Sequence, residues 1–215
     1  MNTDKQKKGL IADDELGLVV HSYNNHLAAM MGYIELLLLQ QESSSSKEYL
    51  HHSLDSGNEA VHFGKSILAS IGRLQISMEQ HSLNELLRPL LENPHLDVFS
   101  EDINDTFQIK TNPEWFNECL TDLIDFILKI NVKQQISVKI IKDNGEFCKI
   151  IIESKFDIEK QFDQESLFMP FYSSRHLLGT KDIGLAKAKG FFKQMDSNLS
   201  WKNNRGFCLE IPILN

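Results

Sequence analysis

An apolar residue returns every three or four positions through Leu16, Val20, Asn24, Leu27, Met31, Ile34 and Leu38, with Asn24 the one polar member. That spacing is the near-heptad stripe of a long amphipathic helix, and it limits the fold more tightly than any other feature of the chain. Asp13 and Asp14 are suitable N-cap residues and no proline occurs before Pro89, so the pattern predicts a first helix over 13–41. Glu42 and the four serines after it read as a turn. A second helix over 47–80 repeats the stripe in Leu50, Leu54, Gly57, Val61, Gly64, Leu68 and Ile71. Leu36, Leu37 and Leu39 flank the first stripe, and a hairpin of two helices cannot hide them alone. Two copies forming a four-helix bundle can, so a homodimer with the bundle as its interface is expected.

Bulk properties exclude several classes. At 215 residues and 41% hydrophobic, the chain can bury a real core of one or two domains. A formal charge of -8 without a basic stripe argues against nucleic-acid binding. The N-terminus, Met1 to Lys8, is polar, unlike a secretory signal, and residues 1–12 read as a disordered lead-in. The longest apolar run, Leu27 to Leu39, is broken by Glu35 and too short to cross about 30 Å of hydrocarbon, so no membrane span and a cytoplasmic location are expected. Cys119, Cys148 and Cys208 are odd in number and lie among apolar residues, which suits small core residues better than a disulfide or a metal site.

Within the first helix the run Val20-His21-Ser22-Tyr23-Asn24-Asn25-His26-Leu27 continues into Met31-Gly32-Tyr33-Ile34-Glu35-Leu36-Leu37. It resembles the phospho-accepting helix of bacterial two-component histidine kinases, the subtype that reads HDFNNLL and then GYxELL. The resemblance implies that His21 accepts the phosphoryl group. His21 sits one position past the stripe residue Val20, on the flank of the predicted bundle. Asn25 shares its face one turn on, and Ala28, Ala29 and Gly32 continue that face with small side chains. Of the eight histidines, the other seven read as ordinary surface residues, His26 included, since it has no partner at metal-ligand spacing. In active kinases of this kind an acidic residue follows the histidine and helps remove its proton; here Ser22 stands there, and a hydroxyl is no base near neutral pH. Accepting a phosphoryl group from a receiver's aspartyl phosphate is less demanding, because the acyl phosphate supplies the leaving group and the receiver brings its own magnesium ion and lysine.

Residues 82–215 read as an α/β domain. Ser82 is a suitable N-cap for a helix from Leu83, a strand covers 107–110, and Pro113 opens a helix to about Lys129. Runs at 135–141 and 147–153 around Asp143-Asn144-Gly145 make a hairpin, and a helix over 182–195 precedes strands near 199–202 and 207–213. The order resembles the ATP-binding domain of histidine kinases, so the fold class expected is α+β: a helical hairpin over 13–80 in a dimeric four-helix bundle, then an α/β sandwich over 82–215.

That family binds ATP through short boxes, and the resemblance implies what stands at each. Counting from Asn112-Pro113, its two asparagines fall on Asp122 and Phe126, and phenylalanine cannot ligate magnesium. Counting back from Phe168-Met169-Pro170-Phe171, the adenine-binding aspartate falls on Ser154, a glycine falls on Phe156, and Asp157 lies three residues out of place. The phosphate cradle aligns with Thr180-Lys181-Asp182-Ile183-Gly184-Leu185, where Asp182 replaces a glycine. A carboxylate about 4 Å from one phosphate charge costs on the order of 4 kcal/mol at an effective dielectric of 20, so Asp182 reads instead as a helix N-cap. The expectation is a dimeric histidine phosphotransferase of a phosphorelay, passing the phosphoryl group on His21 to and from receiver aspartates. Its partners are response-regulator receiver domains, with an upstream hybrid histidine kinase. It binds no cofactor itself, and magnesium comes with the receiver. An ATP-dependent kinase without a sensor domain and a non-catalytic dimeric adaptor are the alternatives, and Asn25 is a candidate for positioning water or the phosphoryl group.

Overall fold

The computed structural model describes residues 13–39, 45–92, 96–100, 107–130, 136–143, 146–154, 163–172, 183–202 and 205–214. The chain forms two compact units, Met1–Ile67 and Leu68–Asn215. The disordered lead-in and the serine-rich turn fall on residues outside the described ones, apart from Ser45 and Ser46 at the start of the second helix.

In the first unit α1 spans Asp13–Leu39 and α2 spans Ser45–Ser70. They pack antiparallel. Ser53 Oγ donates to the Met30 carbonyl at 3.1 Å, the Met30 sulfur lies against Gly57, and Tyr33 stacks on Tyr49 and His52 with ring centroids 6.3 and 5.1 Å away. His26 Nδ1 stands 3.3 Å from Glu59 Oε2. The packed stripe is therefore His26, Met30 and Tyr33 against Tyr49, Ser53, Gly57 and Ala60, which, Gly57 apart, lies one position ahead of the stripe that apolar spacing alone predicts. The small side chains of Ser53, Gly57 and Ala60 let the helices approach, which the leucines would prevent. Those leucines point away from the hairpin: Met31 is 58% exposed, Leu38 81%, Leu50 57% and Leu54 61%.

The second helix also ends ten residues earlier than the pattern suggests. Gly72 takes φ +69°, a conformation that glycine alone adopts at little cost. Its N–H bonds the Ala69 carbonyl at 2.9 Å and the Arg73 N–H bonds the Leu68 carbonyl at 2.8 Å, the paired bonds of a Schellman cap. The residues expected to continue the helix instead lead into a strand, β1, at Glu79–Ser82.

In the second unit α3 follows at Leu83–Leu91, β2 at Leu96–Ser100, β3 at Gln108–Thr111 and α4 at Pro113–Ile130. Then come β4 at Ile136–Asp143, β5 at Phe147–Ser154, α5 at Gln164–Leu167, α6 at Gly184–Gln194, β6 at Asn198–Lys202 and β7 at Gly206–Pro212. β1 and β3 form an antiparallel pair, and the five-stranded sheet runs β2-β4-β5-β7-β6, parallel only between β2 and β4. Strict alternation along β5 buries Cys148, Ile150 and Ile152 on one face. α4 covers that face with Phe116, Leu120, Leu123 and Ile127, joined by Phe191 and Phe192 of α6 in one core. Asn112 sets the start of α4: its Oδ1 accepts from the Trp115 N–H at 3.2 Å, and Pro113 takes the first helical position. Cys119, Cys148 and Cys208 are free and buried, as core residues should be. No described helix is long and apolar enough to cross a membrane.

Candidate functional site

The residues singled out from the sequence fall in two places, one in each unit. Residues 21, 22 and 25 all lie in α1. The His21 side chain is outside the described ones; Ser22 is partly exposed and Asn24 and Asn25 are exposed. By the 3.6-residue period, position 21 falls on the side of α1 opposite the Met30 stripe that faces α2. Ala28 and Ala29 are exposed beside it, so this flank carries small side chains in a polar setting.

In the second unit the helix faces of α4 and α6 meet where the kinase boxes would converge. Phe126 is 3% exposed. Its ring sits edge-on to Trp201 with centroids 6.0 Å apart and lies 5.8 Å from Phe207, and Phe168 packs on Phe207 at 6.0 Å. An aromatic cluster thus surrounds position 126, and none of its atoms can bind a hard cation. Asp122, one turn earlier, is held in an ion pair: Lys187 Nζ lies 2.7 Å from Asp122 Oδ2 and is also hydrogen-bonded to Glu118 Oε1. The Lys187 side chain is only 6% exposed. Burial pulls its pKa down, but the Asp122 charge and the hydrogen bonds donated to Asp122 and Glu118 outweigh this and hold the ammonium above the ordinary lysine range.

Gly184 is part of the same arrangement. A Cβ there would come within 2.9 Å of Asp122 Cγ, so glycine is what lets the first turn of α6 close on α4. Its close neighbour is thus α4. α6 also starts two residues later than expected, with Ile183 at the N-cap and no side-chain hydrogen bond there. Asp182, expected as the cap, is outside the described residues, as are Phe156 and Asp157. Ser154 ends β5, 2% exposed, with its N–H bonded to the Arg205 carbonyl at 2.8 Å. Phe171 is buried at φ +61°, a strained conformation for a bulky side chain.

Sequence reasoning missed Lys187 and Glu118. The signal was partly there: Lys187 falls in the largely apolar run Leu185 to Phe192, and Glu118 and Asp122 are two acids one turn apart on α4. A buried lysine needs such partners. Among the described residues no group of three or more His, Cys, Asp or Glu side chains is placed to hold a metal ion.

No family model and no curated protein matches the sequence. Solved structures do match by shape. Full-length ShkA, solved in complex with AMPPNP, aligns at TM-score 0.58 and 14% identity over 94% of this chain. The histidine kinase ThkA, solved in complex with the response regulator protein TrrA, aligns at TM-score 0.53 and 16% identity over 94%. The Acinetobacter baumannii histidine kinase AdeS aligns at TM-score 0.52 and 14% identity over 91% of this chain and 98% of its own. The chain spans 46% of ShkA and 62% of ThkA, so it is about half the length of the first and under two thirds of the second. At such identity these likenesses establish the fold alone: the chain has a histidine-kinase-like fold, with a sheet domain like the histidine kinase ATPase domain.

Proposed function

We propose that the protein is a histidine phosphotransferase in two-component signalling, carrying the phosphoryl group on His21 and exchanging it with receiver aspartates without binding ATP. One observation supports the second half of this reading: Phe126 lies in an aromatic cluster and Asp122 is ion-paired to Lys187, so the two positions that the resemblance gives to the family's asparagines hold an apolar ring and an engaged carboxylate. His21 in its Asn24-Asn25 context carries the first half. In the transfer an imidazole nitrogen attacks phosphorus, the bond to the aspartate oxygen breaks, the carboxylate leaves, and the imidazole gives up its proton to solvent. Asn25 is exposed one turn from residue 21 and is assigned to positioning the incoming phosphoryl group.

The exposed stripe of Leu27, Met31, Ile34, Leu38, Leu50, Leu54 and Val61 supports a second copy of the chain as its cover. ThkA was solved with a response regulator, which supports a receiver as the partner of this fold. The fold itself favours one rival, an ATP-dependent kinase, since ShkA holds an ATP analogue. Calorimetric titration with magnesium-ATP separates the two: no heat up to millimolar nucleotide is expected, and micromolar binding overturns the ATP-independent reading. Incubation with a phosphorylated receiver should label wild-type protein and leave His21→Ala unlabelled; label retained by His21→Ala overturns the assignment of His21.

A further inference from the structure

Beyond the α4–α6 contact, a second feature of the same domain has no role in phosphotransfer. An open cleft of about 440 Å³ lies between α5, α6 and β6, lined by Glu165, Phe168, Lys189, Asn198, Leu199 and Ser200. That volume suits a small molecule. Lys189 is the cation in it. Its ammonium donates to the Leu199 carbonyl and stands 5.3 Å from the centre of the Phe168 ring. Each of Lys139, Lys149 and Lys187 has a carboxylate within ion-pair distance. Lys189 has none among the described residues, and Glu165 in the same cleft does not reach it. Burial, and then the neighbouring charge of Lys193, push the Lys189 pKa down, the mark of an ammonium that lacks a counter-charge.

β6 is the last strand of the sheet among the described ones, so the cleft opens at a sheet edge. A peptide adding to that edge would need the Leu199 carbonyl, which Lys189 already occupies. A small ligand needs no such exchange. We propose that this cleft binds a small organic anion, a carboxylate on an apolar body, with the anionic group on Lys189 and the body against Phe168. The Asn198 amide and Ser200 hydroxyl at its rim already donate to Glu210 and to the Cys208 carbonyl, which leaves the Lys189 ammonium as the group that draws the anion. Glu165 sets a limit on the charge tolerated there, so a monoanion is favoured over a dianion.

The test uses the full chain labelled with nitrogen-15 and titrated with 3-phenylpropanoate as the probe, with 3-phenylpropanamide as the neutral control. The expected result is saturable shifts confined to amides of 165–168, 189 and 198–200, with affinity in the millimolar range typical of so small a ligand. The amide should bind at least about tenfold more weakly, as an uncharged group forgoes the ion pair. Lys189→Gln should lose the response, while Lys189→Arg keeps it and shows that the cation, and not the fold, is being read. Equal binding of acid and amide, shifts spread over the sheet, or no saturable Lys189-dependent shift at all would each overturn the proposal. These readouts do not involve His21 or a receiver, so they stand apart from the phosphotransfer reading.

Discussion

Lys187→Met keeps most of the length and apolar packing of the side chain and removes the ammonium, with its charge and its hydrogen bonds to Glu118 and Asp122, which makes it the sharpest probe of the α4–α6 contact. It leaves Asp122 and Glu118 facing each other without a cation, with side chains only 21% and 28% exposed. Breaking a buried ion pair by removing one partner costs about 3–5 kcal/mol. Since both carboxylates retain some contact with water, the low end applies, about 3 kcal/mol, or a fall in Tm of roughly 6–12 °C for a domain near 150 residues. Calorimetric unfolding at neutral pH reads this directly. Replacing the anion as well, in Lys187→Met/Asp122→Leu, should recover at least half of the loss, because an apolar pair of similar volume needs no desolvation of charge. The sign of the pH dependence follows from the raised folded pKa of Lys187: its contribution is complete below the pKa of an unfolded lysine and fades only as pH rises through the folded value, in strongly alkaline solution. A Lys187→Met protein that melts within about 2 °C of wild type at neutral pH would refute the reasoning.

Gly184→Ala should destabilise by about 1–2 kcal/mol in denaturant unfolding, since its Cβ would lie 2.9 Å from Asp122 Cγ. The cost should shrink in an Asp122→Ala background, and equal cost in both backgrounds would show that Asp122 is not what Gly184 makes room for. Gly72→Ala should cost about 1 kcal/mol by the same assay, because its φ of +69° is unfavourable for a residue with a Cβ. The three cysteines should resist a thiol reagent in the folded protein and react together on unfolding. Burial holds Cys119 well above its ordinary range and Cys148 at about 11, so little thiolate exists at neutral pH. Rapid labelling of native protein by one equivalent would count against that placement.

Where the sequence was legible, one periodicity dominated. The alternation of β4 and β5 and the proline start of α4 each appear in the chain as local patterns, and the structure has these elements within a residue or two of the expected places, while Asn144 and Gly145 of the expected turn lie outside the described residues. β1 could not be read this way: Glu79-Gln80-His81-Ser82 is polar throughout and becomes a strand only because β3 lies beside it. The end of α2 carried a signal in Gly72, but a glycine within an apolar stripe reads equally as a packing residue, and Gly57 and Gly64 are of that kind. The hairpin stripe was displaced by one position for a related reason. Counting apolar residues favours leucine, whereas two helices meet most closely along Ser53, Gly57 and Ala60, and the leucines are left for another surface.

The site raises a different limit. Counting along family boxes led to positions 122, 126 and 154, since each comparison needs only one residue. What surrounds those positions depends on pairs from distant parts of the chain. Asp122 and Lys187 are 65 residues apart, and although a lysine in an apolar run hints at a buried cation, nothing local says which acid it meets. Together with Gly184 they form one arrangement, in which an internal ammonium bridges Asp122 and Glu118 and the glycine admits the close approach. One buried lysine thus fastens α4 to α6 from within. Because the contact is made by the chain's own side chains, α4 and α6 are held together by groups that neither helix shows alone.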